Sequence, residues 1–156
     1  MSVDKVKKYL ERWGMQDKVM EFPVSSATVE EAAMALHCEG KRIAKTLSFK
    51  VDDKPILIVM AGDAKVDNHK YKDLFHKKAS MLKAEEVEEW IGYPVGGVCP
   101  FGVSEQVTVY LDESLRRFET VFPACGSRNS AIEMTMDELE DCSGASKWID
   151  VSKLME

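Results

Sequence analysis

The spacing of hydrophobic residues predicts several short amphipathic helices. Near the start of the chain, Val3, Val6, Leu10 and Trp13 recur at helical intervals, and the pattern stops at Gly14. Further helices are predicted after the capping box Thr28-Val-Glu-Glu31, after Asp67, over residues 85–91 before Gly92, and after the capping box Thr135-Met-Asp-Glu138. None of these segments is long, so we expect the helices to flank a sheet.

Residues that alternate between apolar and polar predict that sheet. The segment 43–51 alternates, Asp52-Asp53-Lys54-Pro55 breaks the pattern, and 56–61 is apolar again, which predicts a hairpin. Further strands are predicted at residues 18–22, 78–82, 107–111, 120–123, 131–135 and 148–151. Because strands and helices are interleaved but the hairpin excludes a purely parallel sheet, we predict an α+β domain with a mixed sheet.

The amino-acid composition is typical of one globular domain that needs no disulfide bonds for its stability. The chain has 156 residues, of which 45% are hydrophobic and 31% charged, a usual balance for a soluble protein. Charges run through the first twenty residues, and the longest apolar run, 55–62, is too short to cross a bilayer. The four cysteines are scattered, without metal-ligand spacing. We therefore expect a cytoplasmic, single-domain protein with free thiols, no metal and no cofactor.

Charge is distributed unevenly along the chain. The net charge is −6, which argues against indiscriminate binding to nucleic acid. Residues 65–83 nevertheless contain six lysines, two aspartates, His69 and His76, so this basic segment carries a local charge of +4. It predicts either a phosphate-binding face or a solvated lysine-rich surface.

Lys45 is the most informative single residue. Alternation in the first hairpin strand places it on the same face as Ile43, Leu47, Phe49 and Val51. A lysine is seldom buried without a partner, so Lys45 must meet a carboxylate, reach the sheet edge, or line a pocket for an anionic or carbonyl-bearing ligand. Acting as a base would require its pKa to fall by about 3, at a cost of ~4 kcal/mol. A charged hydrogen-bond donor needs no such change, and we favour that role.

A glycine-rich loop is the second candidate feature. The segment Gly96-Gly-Val-Cys-Pro-Phe-Gly102 lets the main chain approach a ligand closely, and its N–H groups could hold a carbonyl or phosphate oxygen. A plain tight loop would look the same. Cys99 within it would be a nucleophile only with a base in reach, and the sequence places no histidine beside it. Since no hydrolase motif occurs, an enzyme with this sequence would act by positioning and electrostatics, which suits an activated ester.

Taken together, these residues resemble the YbaK/ProX family, which includes the editing domain inserted in bacterial-type prolyl-tRNA synthetases. The motifs that carry the resemblance are, in chain order, Ser26-Ala-Thr-Val-Glu-Glu-Ala-Ala33, Ile43-Ala-Lys-Thr-Leu47, Ala61-Gly-Asp63, Gly92-Tyr-Pro-Val-Gly-Gly-Val-Cys-Pro-Phe-Gly102, Leu111-Asp112 and Cys125-Gly-Ser-Arg-Asn-Ser-Ala-Ile-Glu133. They span most of the chain. The resemblance implies one domain over residues 1–156 with a mixed, largely antiparallel curved sheet flanked by short helices.

The resemblance also implies a function, that of a trans-editing hydrolase that removes a non-proline amino acid from mischarged tRNA-Pro. The reaction would be metal-independent, and the substrate's own ribose hydroxyl would help to position the water. The partners implied are the acceptor end of tRNA-Pro and a prolyl-tRNA synthetase complex. Catalytic roles are implied for Lys45, Gly96 and Gly97. Substrate contacts are expected at Ser26, Thr28, Thr46, Val98, Cys99, Pro100, Phe101, Asp112, Gly126 and Ser127. RNA contacts are expected at Lys70, Lys72, Lys77 and Lys78.

Two departures from the family pattern bear on specificity. Cys99 stands where serine is usual, and Ala124-Cys-Gly126 stands where some cysteine-editing members have Ser-Gly-Gly. The lining of the pocket is therefore expected to differ, and small changes of lining can switch the substrate. Two other functions stay open at this point: a non-catalytic module that binds tRNA or a synthetase through the same pocket, and a thiol hydrolase that uses Cys99.

Overall fold

The predicted hairpin is the centre of the main sheet. The computed structural model describes residues 2–23 and 28–155. In it, strands β2 (Ile43–Val51) and β3 (Lys54–Ala61) pair antiparallel. The two residues that join them, Asp52 and Asp53, both have positive φ, 51° and 61°. That is the turn geometry that matches the twist of paired strands. The hairpin is therefore confirmed, but its turn has two residues and not the predicted four, because Lys54 and Pro55 already pair with β2.

Four more strands extend this hairpin into a six-stranded mixed sheet. The strands are β5 (Thr108–Asp112), β6 (Thr120–Pro123), β8 (Met134–Thr135) and β9 (Lys147–Ile149), and the order is β8-β6-β2-β3-β5-β9. The pairs β6–β2, β3–β5 and β5–β9 are parallel, while β8–β6 is antiparallel like the hairpin. The predicted α+β class with a mixed sheet is confirmed.

Two small antiparallel sheets lie beside the main one. Strand β1 (Met20–Glu21) pairs with β7 (Ser130–Ala131), and β4 (Ala64–Val66) pairs with β10 (Ser152–Leu154). The second of these sheets holds the chain that leaves β3. It therefore fixes the strand end at which the motif Ala61-Gly-Asp63 lies.

The helices are short and most have side-chain caps, as predicted. They are α1 (Ser2–Leu10), α2 (Val29–Leu36), α3 (Asn68–Phe75), α4 (Ala84–Glu86, continued by a wide turn over Val87–Ile91) and α5 (Met136–Ser143). The side chains of Thr28, Asp67 and Thr135 accept backbone N–H groups at the starts of α2, α3 and α5. Within the described ranges, no helix is both long and apolar enough to cross a bilayer.

The core is formed around β3, whose last five residues, 57–61, are fully buried. Helix α3 packs on this sheet through Tyr71, whose ring centroid lies 5.3 Å from that of Phe49. Helix α2 packs near one end of β2, where Ala32 forms a separate small cluster with Ile43 and Phe122. The gap between these two helix contacts along β2 is where a cavity opens.

Several predicted strands are wrong in extent. Residues 78–82 form only one bridge, between Met81 and Phe49. The predicted strand 131–135 is split into β7 and β8 because its two halves pair with different strands. Of the predicted strand 148–151, only residues 148 and 149 belong to β9, and β10 begins beyond it at Ser152. The predicted strand 18–22 is reduced to Met20–Glu21 because Gln16–Lys18 forms a helical turn. Local alternation could not show where one strand changes partner.

Candidate functional site

A cavity of about 450 Å³ lies along the edge of β2 that faces away from β3. Strand β6 pairs with this edge only at Ile43 and Ala44. Further along, the backbone N–H of Lys50 donates to Ser80 O at 2.8 Å, and the N–H of Leu82 donates to Ser48 O at 3.1 Å. Residues 45–47 lie between these two attachments, and the described residues supply no strand that pairs with them there. The cavity occupies that interruption of the sheet edge.

The lining combines mostly apolar side chains with a few polar groups. It includes Lys45 and Thr46 from β2, Thr28 and Val29 at the start of α2, and Gly96 from the glycine-rich loop. The remaining lining residues are Ala32, Ile43, Ala44, Leu47, Ser48, Met81, Leu82, Ala84, Val87, Val95, Val98, Phe122, Ala124, Ser130 and Ala131. A cavity of this volume and character is typical of small-ligand sites. The structure thus brings Thr28, Lys45, Thr46, Gly96 and Val98, all expected from the sequence, into one cavity.

The ammonium of Lys45 is held by a main-chain carbonyl. Its Nζ lies 3.5 Å from the carbonyl oxygen of Gly62, and the side chain is half-buried. Burial lowers the pKa of Lys45, while the nearby carboxylates of Asp63 and Glu30 act in the opposite direction. Neither carboxylate lies within 4 Å of Nζ. Lys45 is therefore not neutralised by a direct ion pair among the described residues, and its donor capacity faces the cavity.

Asp63 provides an anchored negative charge next to this lysine. Its carboxylate accepts two hydrogen bonds from Arg117, with Nη1–Oδ2 at 3.0 Å and Nη2–Oδ1 at 2.5 Å. These bonds to Arg117 lower the pKa of Asp63, so it is ionised at neutral pH. Arg117 Nε in turn donates to Ser114 O at 2.8 Å. Sequence reasoning did not assign Asp63 or Arg117 to the site, because the two are far apart in the chain.

Gly62 has no room for a side chain. A Cβ at this position would lie 2.1 Å from the carbonyl oxygen of Gly40 and 2.9 Å from a methyl carbon of Val29. The two glycine backbones therefore approach more closely than any other residue would permit. This packing fixes the carbonyl that accepts from Lys45. In the sequence, the only indication of this close approach was a glycine at the end of a strand predicted to be apolar.

Thr46 carries a polar atom without a partner. Its hydroxyl oxygen is buried and has no hydrogen-bond partner within residues 2–23 and 28–155. Its main-chain groups also point to the open edge, because Ser48 and Lys50, two and four residues further along, bond to residues 80–82 on that side. Such buried polar groups are usually satisfied, so Thr46 offers hydrogen bonds to a ligand in the cavity.

The glycine-rich loop is held against the turn at residues 126–128. A Cβ on Gly97 would lie 2.8 Å from backbone atoms of Gly126 and Ser127, and Arg128 Nε donates to Val95 O at 3.1 Å. Gly96 has φ of 92°, which favours glycine. Gly97 therefore supports the loop from behind, while Gly96 lines the cavity. Gly126 and Ser127 do not line it themselves.

The hydroxyl of Ser127 is used within the turn. It contacts Asn129 Oδ1 at 2.9 Å and Ser130 Oγ at 2.8 Å, and the Asn129 amide donates to Phe22 O at 2.8 Å. Ser130 is the member of this network that lines the cavity. The turn thus acts as a support that joins the loop to β1.

Cys99 is buried behind the cavity wall. Its exposure is zero, and burial raises the pKa of its thiol to about 12. Tyr93, whose hydroxyl donates to Phe101 O, packs beside it, and Phe101 is also fully buried. The side chains of Cys99, Pro100 and Phe101 do not line the cavity. A protonated, buried thiol is a poor nucleophile, which argues against the thiol hydrolase.

Asp112 has a structural role instead of the expected contact with substrate. Its carboxylate accepts from Ser114 N at 2.9 Å, Val151 N at 3.0 Å and the Ser152 hydroxyl at 2.6 Å. The residue is fully buried and is absent from the cavity wall. It ties the end of β5 to the final sheet, and its acceptor capacity is used there.

The four lysines expected to contact RNA have different surroundings. Lys70 pairs with Asp150 at 3.0 Å, and Lys77 pairs with Asp52 at 2.9 Å. Lys72 and Lys78 instead line a second, smaller cavity. Ser26, also expected in the substrate site, lies outside the described residues.

The chain is similar in sequence to known proteins. The family model described as "Aminoacyl-tRNA editing domain" matches residues 24–142. The chain is 53% identical over 154 residues to the uncharacterized protein YwhH of Bacillus subtilis (strain 168), covering 98% of each chain. It is 31% identical over 115 residues to EbsC of Enterococcus faecalis, which is named as a proposed Cys-tRNA(Pro)/Cys-tRNA(Cys) deacylase, covering 72% of this chain and 70% of EbsC.

A solved structure gives the same result at the level of the fold. A proposed trans-editing enzyme for prolyl tRNA synthetase superposes with a TM-score of 0.87 at 32% sequence identity, over 97% of both chains. The resemblance seen in the motifs is thus confirmed, and so is the curled mixed sheet with short helices that it implied. On these grounds the chain belongs to the aminoacyl-tRNA editing domain family, and its activity is that of an aminoacyl-tRNA deacylase.

Proposed function

We propose that this protein is a free-standing trans-editing deacylase that hydrolyses tRNA-Pro carrying an amino acid other than proline. The observation that carries the proposal is the position of Lys45. Its half-buried ammonium is fixed by Gly62 O at 3.5 Å in the same cavity that Gly96 and Thr46 line. A cation, an open loop backbone and an unpaired hydroxyl thus converge on a space of about 450 Å³.

Lys45 acts as a charged donor in this proposal. The aminoacyl ester and the terminal adenosine present carbonyl, ribose and phosphate oxygens, each of which accepts from an ammonium. An ionised lysine in a partly desolvated cavity orients the ester and stabilises negative charge that develops on the carbonyl oxygen during attack by water. The charge of Asp63 opposes the effect of burial on the pKa of Lys45, which favours the protonated form.

The loop and Thr46 supply the remaining polar contacts. The N–H of Gly96, which lines the cavity, would donate to the aminoacyl part, since the N–H of Gly97 already donates to Pro94 O at 2.9 Å. The Thr46 hydroxyl, buried without a partner among the described residues, would bond the substrate as well. Since the described residues that line the cavity include no histidine and no carboxylate, the ribose hydroxyl beside the ester would position the attacking water. Holding the ester and the water in the correct relative position can account for a large share of the rate enhancement of an enzyme that hydrolyses an ester.

The apolar lining acts as a size filter for the amino acid. Leu47, Val98, Phe122 and Ala124 surround the polar groups. Each methylene that fits or fails to fit changes binding by only about 1–3 kcal/mol. We therefore propose a small non-proline residue such as alanine, cysteine or serine as the amino acid that is removed.

The proposed partners follow from the substrate. The protein would bind the acceptor end of tRNA-Pro in the cytoplasm and could act beside a prolyl-tRNA synthetase. Its likeness to a proposed trans-editing enzyme for that synthetase supports this association.

The test is a deacylation panel with a matched pair of variants. Wild-type protein is incubated with Ala-, Cys-, Ser- and Pro-tRNA-Pro, and release of amino acid is followed. Lys45→Met and Lys50→Met each remove one ammonium from the same strand and keep the aliphatic stem; Lys50 is paired with Glu86 at 3.1 Å, and it is absent from the cavity wall. We expect loss of at least about 100-fold in kcat/KM for Lys45→Met and little change for Lys50→Met.

Two results would overturn the proposal. Full activity of the Lys45→Met variant would show that the ammonium of Lys45 is not needed for hydrolysis. Tight binding of every mischarged tRNA without turnover by the wild-type protein would show a binding module instead.

A further inference from the structure

A second cavity, of about 400 Å³, lies on the basic segment and not in the editing pocket. Its lining residues are Asn68, His69, Lys72, Lys78 and Ala79. Helix α3 ends at Phe75, and His76, which follows it, has a positive φ of 60°. The chain then turns back alongside the helix. This reversal places Lys78 and Lys72, together with Asn68, around one space.

Lys72 and Lys78 differ from Lys70 and Lys77 in their ion pairing. No carboxylate lies within ion-pair distance of Lys72 or Lys78 in residues 2–23 and 28–155, whereas Lys70 and Lys77 pair with Asp150 and Asp52. His69 is oriented by Asp73, whose Oδ2 lies 3.2 Å from Nε2. Asp67 already accepts the first N–H groups of α3, so the cavity depends on side chains and not on the helix terminus.

We propose that this cavity binds a backbone phosphate of the tRNA acceptor strand, with Lys72 and Lys78 as its two cationic donors. This inference rests on the proposed function, since it assigns part of the same substrate to a second site. A phosphodiester carries a full negative charge on two exposed oxygens, and paired ammonium groups bind it as point charges. Of the six lysines in the basic segment, Lys72 and Lys78 are the two that line this cavity.

The distance between the two cavities supports an RNA strand over a separate small anion. Ala79 lines the basic cavity, and Met81, two residues further along, lines the editing pocket. Their Cα atoms are therefore at most about 7 Å apart. Hydrogen bonds from Lys50 N to Ser80 O and from Leu82 N to Ser48 O hold the intervening chain on β2. A strand whose terminal ester lies in the pocket would pass the basic cavity within its last nucleotides.

The experiment measures RNA binding with two charge-matched double variants. One carries Lys72→Gln and Lys78→Gln, the other Lys70→Gln and Lys77→Gln, so both have a net charge two lower than wild type. The probe is a fluorescently labelled, uncharged hairpin that reproduces the tRNA-Pro acceptor stem with its CCA end. Its anisotropy is followed between 50 and 200 mM KCl, and thermal unfolding checks that both variants fold.

We expect the Lys72/Lys78 variant to bind the hairpin about five- to tenfold more weakly at 100 mM KCl, with the slope of log K against log [KCl] reduced by about 1. The Lys70/Lys77 variant should stay within about twofold of wild type. An unchanged affinity and slope in the Lys72/Lys78 variant would overturn the site. An equal loss in both variants would also overturn it, because general charge would then be the cause.

A minimal substrate separates this proposal from the deacylase itself. Aminoacyl-adenosine carries the ester without the strand phosphates, so the Lys72/Lys78 variant should hydrolyse it at the wild-type rate while KM for mischarged tRNA rises. If the wild-type protein hydrolyses neither substrate, the proposed function fails, and the hairpin titration still decides the phosphate site. If it hydrolyses both and the variant matches it on tRNA, the phosphate site alone fails.

Discussion

Asp63 and Arg117 form a two-pronged ion pair at the strand end that carries the carbonyl facing Lys45. The Nη1–Oδ2 and Nη2–Oδ1 distances are 3.0 and 2.5 Å. The side chains remain about one-third exposed, 31% for Asp63 and 35% for Arg117. The pair therefore anchors a charge beside the editing cavity and does not fill it. Its effect on the cavity is electrostatic and can be tested through pH.

Replacing Asp63 by asparagine should narrow the pH range of activity. The carboxylate of Asp63 raises the pKa of Lys45 against the effect of burial, so its loss lowers that pKa further. If Lys45 must be charged, the alkaline limb of the kcat/KM profile then moves to lower pH. The profile is measured on mischarged tRNA after subtraction of uncatalysed hydrolysis. Glu133→Gln serves as the control, because Glu133 pairs with Arg42 at 3.2 Å outside the cavity. A variant profile that overlays the wild-type curve would contradict the charged-donor role.

The same pair predicts a pH-dependent contribution to stability. Arg117 holds the pKa of Asp63 below its usual value, which is about 3.9 in an unfolded chain. The stabilisation is therefore complete above that value and is lost as the pH falls through the lower folded-state pKa. Because the pair is partly exposed, we expect Asp63→Asn to cost only ~0.5–1 kcal/mol at pH 7. Urea unfolding at pH 7 and below pH 3 should show this difference shrinking with acidity; a constant difference would indicate lost packing instead.

Gly62→Ala should damage both stability and activity. The added Cβ would meet the carbonyl oxygen of Gly40 at 2.1 Å, so one of the two backbones must move, and a shift of residue 62 displaces the carbonyl that accepts from Lys45. We expect a loss of about 2–3 kcal/mol in the free energy of unfolding and a lower kcat in the folded fraction. Gly144→Ala is the matched control, because its φ is 65° but no atom lies within 4 Å of the new Cβ. That variant should lose about 1–2 kcal/mol with normal kcat, and an equal fall in kcat for both would disprove a specific role for Gly62.

Cys99→Ser should leave deacylation nearly intact. The thiol is fully buried with a pKa raised to about 12, so it is protonated and inaccessible at neutral pH. N-ethylmaleimide should react first with Cys38, the only cysteine that is not buried among the described residues, and wild-type activity should survive brief treatment. If inactivation followed the modification of Cys99, and the Cys99→Ser protein were also inactive, the result would support a hydrolase that uses Cys99 as its nucleophile.

The sequence was most informative where the deciding interactions are local. The alternation that puts Lys45 among apolar residues, the capping boxes at Thr28 and Thr135, and the hairpin turn at Asp52–Asp53 each depend on a few neighbouring residues. The local pattern predicted a strand at residues 78–82, and this was wrong, because the segment makes only two backbone hydrogen bonds with the edge of β2. The family resemblance placed Asp112 in the substrate site, whereas its hydrogen-bond partners Val151 and Ser152 come from the end of the chain.

By itself, the sequence determined the order of elements, the inward direction of Lys45, the glycines that let the main chain come close, and, through its motifs, the family. The tertiary structure decided that β2 has an unpaired stretch at residues 45–47, that Asp63 and Arg117 meet beside Lys45, and which lysines of the basic segment stay free of acidic partners. The reason is physical. A side chain's direction follows from the backbone repeat of its own strand or helix, whereas a cavity, an ion pair or an empty sheet edge depends on which distant segments pack side by side.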